Sequence, residues 1–165
     1  MTVKGKAWVY GDDINTDVIF PGRYLHIFDA HEMAKHAMED LDAEFLSRVG
    51  QGDVVFGGSN FGCGSSREQA VTCLKFAGVE ALVAKSFSRL YYRNAINLGL
   101  PILQSPEAVE ATEPGDQVEI DFENGIIRNL SKGKEFTTSP LPEFVMGIIG
   151  SGGLIPHLQK ELGVQ

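Results

Sequence analysis

The sequence predicts a mixed α/β fold in which parallel and antiparallel strands surround one core. Strand-like and helix-like patterns alternate over residues 79–103, and this alternation is typical of parallel βαβ units. Residues 117–123 alternate apolar and polar side chains and lead into Asn124-Gly125, a pair typical of the type I′ turn of an antiparallel hairpin. At 165 residues the chain is long enough to bury a substantial core, so we expect a single domain over residues 1–165.

Local patterns place the individual elements along the chain. Short apolar runs predict strands at 6–10, 53–57, 79–87 and 100–103, a hairpin over 117–130 and a third antiparallel strand within 132–138. Apolar residues at helical spacing predict helices over 30–41, 70–77, 88–99, 143–149 and 154–162. Gly78 follows the second of these helices, at the position where a left-handed residue commonly ends a helix.

The segment 18–28 has a less regular pattern. It is apolar, but Pro21 and Gly22 interrupt it, which favours the end of a strand followed by a structured loop. Asp29 is expected to begin the helix that follows, because Asp29 and Glu32 have the spacing of a capping box.

Composition and charge exclude several classes of function. A net charge of −8 opposes nonspecific binding to nucleic acid or to an anionic membrane surface. No apolar run reaches the roughly 18 residues that a membrane-spanning helix needs. The N-terminal segment MTVKGKAWVYGDD lacks the apolar core of a secretion signal, so we expect a cytoplasmic protein.

The sequence offers no complete metal site. Cys63 and Cys73 are its two cysteines, too few for a disulfide framework, and by themselves they cannot supply the three or four ligands of a zinc or iron–sulfur site. The run DINTD (13–17) begins like an EF-hand calcium loop, but Val18 occupies the glycine position and Tyr24 the position of the bidentate glutamate. We therefore expect neither a metal nor another cofactor in this chain.

The glycine-rich loop SNFGCGSSREQA (59–70) is the most informative stretch of the chain. It does not match a phosphate-binding P-loop, because Gly64 stands where that motif requires a lysine before the hydroxyl residue. One interpretation is structural. Ser65 and Glu68 have the Ser-x-x-Glu spacing of a capping box, so Ser65 could simply begin the following helix.

A second interpretation makes this loop an anion site. Arg67 falls in the first turn of the predicted helix, where the helix dipole disfavours a cation by about 0.3–1 kcal/mol. A cation at this position suggests that an anion, such as a substrate carboxylate or an oxyanion, is expected beside it. Backbone N–H groups and a guanidinium could also stabilise the alkoxide of Ser65, which would let this serine act as a base. The residues alone leave both interpretations open.

Three blocks, in order along the chain, resemble the family of 3-isopropylmalate dehydratase small subunits in the aconitase superfamily. They are GDDINTDVIFPGRYL (11–25), NFGCGSSRE (60–68) and AKSFSRLYYRNAINLGLPIL (84–103). The resemblance implies a swivelling β/β/α domain like the C-terminal domain of aconitase, and a separate large subunit that carries a [4Fe–4S] cluster. It also implies a hydro-lyase that removes and re-adds water on a small hydroxy-dicarboxylate in leucine biosynthesis, and that requires both subunits.

The resemblance further implies roles for individual residues. Ser65 corresponds to the base, Ser66 to a supporting hydroxyl and oxyanion donor, and Arg67 to a ligand of a substrate carboxylate. Asp17 corresponds to a catalytic-site aspartate that helps orient groups of the partner domain. Gln69 departs from the family, which usually has histidine there, and glutamine keeps hydrogen-bonding capacity but does not titrate near neutral pH.

The loop after Tyr24 is expected, from the resemblance, to read the part of the substrate that differs between family members. Here Leu25, His26 and Ile27 offer no permanent charge, and Arg23 precedes them as a further candidate substrate contact. A buried carboxylate without a partner costs on the order of several kcal/mol, so these residues favour an alkyl substituent, as in isopropylmalate. Alternatives are the same chemistry on homoaconitate, citramalate or a methylated malate, or a non-catalytic anion-binding or interaction module.

Overall fold

A computed structural model describes residues 1–164, and within this range seven strands form one sheet. The strands are Thr2–Val9 (β1), Asp53–Gly57 (β2), Val79–Ala84 (β3), Ile102–Gln104 (β4), Gln117–Asp121 (β5), Ile126–Asn129 (β6) and Lys134–Thr137 (β7). They lie in the order β4-β3-β2-β1-β5-β6-β7, parallel from β4 to β1 and antiparallel from β1 to β7. The predicted mixed α/β class is therefore confirmed.

Strand β1 belongs to both parts of the sheet. Its residues 2–6 pair with β5, and its residues 7–9 pair with β2. The predicted start of this strand at residue 6 is wrong, because the antiparallel half has one face towards water and alternates exposed Lys4 with buried Val3. The end of β1 brings the chain to the edge of the sheet where the parallel strands β2 and β3 also end.

Short helices cover the sheet. They are Thr16–Ile19 (α1), Ala30–Ala34 (α2), Phe45–Arg48 (α3), Gln69–Ala77 (α4), Arg89–Asn97 (α5), Pro106–Ala111 (α6), Glu143–Gly150 (α7) and Leu154–Leu162 (α8), with a 3-10 turn at Gly22–Tyr24. Helices α4, α5, α7 and α8 lie where periodicity predicts them, whereas α3 and α6 are not predicted. Helix α6 does carry a readable start signal, since Ser105 Oγ accepts a hydrogen bond from the Ala108 N–H and Pro106 occupies the first helical position.

Helix α2 is much shorter than the predicted helix over 30–41. It begins as expected, because Asp29 Oδ1 accepts a hydrogen bond of 2.9 Å from the Glu32 N–H. After five residues the helix ends, and turns continue over residues 35–41, where Met38 has φ +60°. The Met38 N–H donates to the carbonyl oxygen of Ile19 at 2.8 Å, so a contact distant in sequence prevents the helix from continuing.

The segment 18–28 also differs from its prediction, because no strand forms there among the described residues. Asn15 Oδ1 accepts a hydrogen bond of 2.8 Å from the Asp17 N–H, which starts the short helix α1 where the end of a strand was expected. Strand β3 likewise ends at Ala84 rather than at residue 87, and the next residues form a loop that packs against the loop after β2.

The antiparallel hairpin forms as predicted, with Asp121 paired to Ile126, and β7 adds the third strand. The predicted type I′ turn is wrong, because residues 122–125 connect the strands and only Gly125 of the central pair has a positive φ, +65°. Asn124 instead donates to the Asp121 carboxylate, from its N–H at 3.2 Å and from Nδ2 at 2.7 Å.

Apolar side chains between the sheet and the helices form one core. Its fully buried aromatic rings are those of Phe20, Phe45, Phe56, Phe61, Tyr91 and Phe122. The rings of Phe61 and Tyr91 pack edge to face with centroids 5.5 Å apart, beneath the loop that joins β2 to α4. No helix of residues 1–164 is long and apolar enough to cross a membrane.

Candidate active site

Three loops meet at the edge of the sheet where β1, β2 and β3 end. They cover residues 10–15, 58–68 and 85–88. Two hydrogen bonds that join them run from the Ser59 N–H to Asp12 Oδ1 at 2.7 Å and from the Asn60 N–H to Ser86 Oγ at 2.8 Å. In open α/β sheets, ligands bind outside the carboxyl ends of the strands, so this edge is the candidate site.

Two glycines let the loop after β2 pass close to its neighbours. Gly62 has φ +81°, and a Cβ there would overlap the ring of Tyr91 beneath it. Gly64 has φ +92°, and a Cβ there would lie 2.7 Å from Asn15 Oδ1. Close packing against helix α5 and against the loop before α1 therefore accounts for two of the glycines that make this segment conspicuous in the sequence.

Ser65 lies exposed on this loop and does not cap a helix. Helix α4 begins only at Gln69, with Glu68 as its N-cap residue and without a side-chain cap bond, so the predicted capping box between Ser65 and Glu68 is wrong. Instead, the Ser65 carbonyl oxygen accepts a hydrogen bond of 2.8 Å from Oγ1 of Thr16, the first residue of helix α1. The Ser65 hydroxyl has no hydrogen-bond partner among residues 1–164, so it is free to meet a ligand.

Arg67 forms an ion pair with Asp17 across two loops. Arg67 Nη1 donates to Asp17 Oδ1 at 2.6 Å and to the carbonyl oxygen of Phe20 at 3.3 Å. The Arg67 guanidinium is the main cause that holds the pKa of the Asp17 carboxyl below its usual value. The predicted position of Arg67 in the first turn of α4 is wrong, because this helix begins only at Gln69. The partner of Arg67 in the structure is the side chain of Asp17, and binding of a ligand anion by Arg67 stays a prediction.

The other edge of the Arg67 guanidinium has no hydrogen-bond acceptor among residues 1–164. Nη1 is used by Asp17 and Phe20, whereas Nη2 and Nε have no acceptor in the part of the chain that the structure describes. Gly22 passes this group closely, since a Cβ there would lie 3.5 Å from Nη2, and the Gly22 N–H donates to Asp17 Oδ1 at 3.1 Å. Because a guanidinium binds a carboxylate through two parallel N–H groups, Nη2 and Nε together form a suitable carboxylate site.

Ser66 lies exposed beside Ser65 and is supported from helix α5. Asn94 Nδ2 donates to Ser66 Oγ at 3.3 Å, and Ser88 Oγ, at the N-cap of the same helix, donates to the Gly62 carbonyl oxygen at 2.8 Å. Helix α5 therefore fixes the loop that carries both serines.

The sequence does not predict the hydrogen bond from Thr16 Oγ1 to the Ser65 carbonyl oxygen, because nothing in a sequence reveals which distant carbonyl group a threonine will meet.

Arg23 is engaged by acidic and aromatic neighbours. Its Nη1 and Nη2 donate to the Asp40 carboxylate at 2.8 and 2.7 Å, and this pairing holds the pKa of Asp40 below its usual value. The Arg23 guanidinium also lies 4.8 Å from the centre of the Tyr24 ring, which stacks on His36 with centroids 3.7 Å apart. Tyr24 donates its hydroxyl to Glu39 Oε1 at 3.0 Å, so the whole 3-10 turn is anchored.

Leu25, His26 and Ile27 follow this turn. Leu25 and His26 are exposed, Ile27 is partly buried against the core, and Phe28 beyond them is 88% exposed. Gly22 connects this segment to the Asp17–Arg67 pair, whereas the structure gives no direct contact between residues 25–27 and Ser65. Contact of Arg23 and of residues 25–27 with a substrate stays a prediction.

The described residues provide no metal centre. Within residues 1–164, no three His, Cys, Asp or Glu side chains converge so that they could hold a metal ion. Cys63 is partly buried, and Cys73 is fully buried in the core, where burial raises the pKa of its thiol. In the calcium-like run, Asn15 is used to cap α1 and Asp17 to pair with Arg67.

Similarity to known proteins decides the family. A sequence model of the aconitase C-terminal domain matches residues 28–108. The 3-isopropylmalate dehydratase small subunit of Caldicellulosiruptor bescii is 56% identical over 162 residues, which cover 98% of each chain. The chain belongs to the family of 3-isopropylmalate dehydratase small subunits.

One solved structure and one further relative are also similar to this chain over almost its whole length. The crystal structure of a 3-isopropylmalate dehydratase from Methanocaldococcus jannaschii is 42% identical and has a TM-score of 0.93, covering 98% of this chain and 96% of that one. The aconitase-like domain expected from the resemblance is therefore confirmed. The 2,3-dimethylmalate dehydratase small subunit of Eubacterium barkeri is 49% identical and covers 96% of this chain and 97% of its own length.

Proposed function

We propose that this chain is the small subunit of a two-subunit hydro-lyase that interconverts 2- and 3-isopropylmalate in leucine biosynthesis. Its full-length similarity to a dehydratase small subunit is the observation that carries the proposal. We place the chain in the cytoplasm. It is inactive without a large subunit, because the residues it contributes bind and deprotonate a substrate but do not assist departure of a hydroxyl.

Ser65 is the base in this proposal. In the dehydration, the Ser65 alkoxide takes a proton from a carbon next to a carboxylate, the electron pair of that C–H bond forms a carbon–carbon double bond, and the hydroxyl of the adjacent carbon leaves as hydroxide. In the rehydration, Ser65 returns the proton to the carbon that lost the hydroxyl, and hydroxide adds to the carbon that lost the proton. The exposed Ser65 hydroxyl, unengaged by the rest of the described chain, supports this assignment.

The neighbours of Ser65 supply the electrostatic conditions that such a base needs. Serine can act as a base only when its hydroxyl has lost a proton to form the alkoxide. Nearby cations or hydrogen-bond donors are needed to stabilise that alkoxide. Arg67 provides a permanent positive charge two residues away, and Ser66 a second hydroxyl. The open Nη2 and Nε edge of Arg67 binds a substrate carboxylate, while Asp17 holds the guanidinium in place from its other edge.

The iron–sulfur cluster of the family does not fit this chain. A [4Fe–4S] cluster needs several thiolate ligands, and this chain has only Cys63 and Cys73, the second of them buried in the core. We therefore assign the cluster, whose iron assists departure of the hydroxyl as a Lewis acid, to the large subunit. The small subunit contributes the base and the carboxylate site.

The substrate of this proposal carries an alkyl group rather than a third carboxylate. The cation nearest to residues 25–27 along the chain is Arg23, and Asp40 neutralises it through two hydrogen bonds. A second candidate substrate is 2,3-dimethylmalate, because a relative at 49% identity is named for that acid. Both acids present methyl groups to the Leu25–Ile27 segment, and neither needs an additional cation.

Reconstitution tests the proposal. The chain is mixed anaerobically with a cluster-loaded large subunit, and absorbance of the unsaturated intermediate is followed with isopropylmalate, 2,3-dimethylmalate, citramalate and homocitrate in parallel. The proposal predicts turnover of isopropylmalate above all others. Preferred turnover of 2,3-dimethylmalate would support the second candidate, preferred turnover of homocitrate would contradict the alkyl assignment, and no turnover by a verified complex would favour a non-catalytic anion-binding module.

A further inference from the structure

Thr16 is one of the few buried polar residues of the chain, with 1% of its surface exposed. It is the first residue of helix α1, and it makes two hydrogen bonds to the loop after β2. Its N–H donates to the Cys63 carbonyl oxygen at 2.9 Å, and its Oγ1 donates to the Ser65 carbonyl oxygen at 2.8 Å. Both acceptors lie within residues 63–65, the part of the loop that ends at the proposed base.

Ser65 depends on this contact. In the described part of the chain, the bond from Thr16 Oγ1 is the one hydrogen bond that Ser65 makes, and Gly64 and Ser66 beside it are exposed. The residue after Thr16 is Asp17, which holds Arg67. Two consecutive residues of one helical turn therefore fix the positions of the proposed base and of the proposed carboxylate ligand relative to each other.

We propose that Thr16 is a positioning residue, which holds the Ser65 peptide so that Ser65 Oγ and Arg67 keep a fixed separation. This inference rests on the proposed role of Ser65 as base. A displacement of about 1 Å in a reacting group can lower a rate by about a hundredfold, so the loss of one hydrogen bond to this exposed loop is large enough to matter. Threonine suits the task because its branched Cβ restricts χ1 and aims the hydroxyl.

Two substitutions at Thr16 separate the hydroxyl from the shape of the side chain. Thr16→Val keeps the branched shape and removes the donor, whereas Thr16→Ser keeps the donor. In the reconstituted enzyme, T16V is expected to lower kcat by roughly ten- to a hundredfold and to change KM by less than about threefold. T16S is expected to retain at least about a third of the parent kcat, because it restores the bond to the Ser65 carbonyl.

The chain offers a matched control at Thr112. This residue is 5% exposed, and its Oγ1 donates to the Ala108 carbonyl oxygen at 2.7 Å on helix α6, outside the three loops of the site. Thr112→Val should lower the melting temperature but leave kcat unchanged. Equal effects of T16V and T112V on kcat, or a T16S enzyme as slow as T16V, would overturn the proposal. If T16V does not assemble, Thr16→Ala is compared with T16S in the same way.

Failure of this inference is distinguishable from failure of the proposed function. If Ser65→Ala retains full turnover, Ser65 is not the base and the role of Thr16 falls with it. If Ser65→Ala abolishes turnover while T16V in an intact complex retains the parent kcat, only the positioning role is refuted. Melting temperature and complex formation are measured for every variant, so that a loss of folding is not mistaken for a loss of catalysis.

Discussion

Asp17 Oδ1 lies 2.6 Å from Arg67 Nη1, and this ion pair joins helix α1 to the loop after β2. The two residues stand 50 positions apart in the sequence. The pair occupies Nη1 of the guanidinium, and Gly22 passes close to Nη2. In the proposed function, Asp17 would therefore act on a substrate carboxylate by orienting Arg67.

Replacing Asp17 should disturb substrate binding more than folding. In the reconstituted enzyme, Asp17→Asn is expected to lower kcat/KM by roughly tenfold or more, because Arg67 loses the charge that holds it in place. Asp13→Asn is a matched control, since Asp13 is an exposed acid of the same loop that accepts a hydrogen bond from Asn60 at 3.2 Å. Equal activities of D17N and D13N would contradict the orienting role of Asp17.

The same pair should make stability depend on pH in acid. Arg67 lowers the pKa of Asp17 in the folded state, so the stabilisation is fully present above the unfolded-state pKa of about 3.9 and is lost as pH falls through the folded-state pKa. The difference in free energy of unfolding between the parent and D17N should be constant from pH 7 to 5 and should shrink below about pH 4. Denaturant unfolding at each pH measures it, and a difference that does not change with pH would contradict the ion pair.

Gly62 should be the least replaceable glycine of the loop. Gly62→Ala is expected to lower the free energy of unfolding by about 2–5 kcal/mol, because a left-handed residue costs about 1–2 kcal/mol and overlap with a packed ring about 1–3 kcal/mol more. Gly133→Ala isolates the first contribution, since Gly133 has φ +64° and no atom within 4 Å of an added Cβ. Similar melting temperatures for G62A and G133A would show that the loop can move away from Tyr91.

A cation placed after Leu25 should change the preferred substrate. His26→Arg is expected to raise kcat/KM for homoaconitate relative to isopropylmalate by about tenfold or more, because a permanent charge then meets the additional carboxylate. His31→Arg is a control with the same change, at an exposed position where the ring packs against Phe76 at 5.2 Å. If H26R and H31R give the same substrate ratio, residues 25–27 do not read the substrate.

The fold could be predicted wherever one local pattern determines an element. Strand β2 has the predicted limits because its residues are all buried and read as one apolar run. Helix α2 does not have its predicted limits, because the hydrogen bond from the Met38 N–H to the Ile19 carbonyl oxygen determines where it ends. The spacing of apolar residues contains no information about this contact. The Asn124-Gly125 pair predicts the hairpin but not its turn type. That type depends on two hydrogen bonds that Asn124 donates to the Asp121 carboxylate, from its backbone N–H and from Nδ2.

The sequence indicates which types of residue form the candidate site, but it does not indicate which of them contact each other. The Gly-Ser-Ser-Arg-Glu run predicts a ligand anion beside Arg67, such as a substrate carboxylate. In the structure Arg67 pairs with Asp17, and this contact follows only from the packing of two segments that are 50 positions apart in the chain. The capping box at Ser65 fitted the local pattern and is wrong, because Thr16 holds the Ser65 carbonyl away from helix α4.

The central claim, that Ser65 is the base, is tested most directly by Ser65→Ala in the reconstituted enzyme. General-base catalysis contributes about 10²–10⁴-fold, so S65A should lose turnover by that factor while its melting temperature and its complex with the large subunit stay unchanged. Ser59→Ala, an exposed serine of the same loop, should retain the parent kcat. An S65A enzyme that turns over isopropylmalate as fast as S59A would contradict the account.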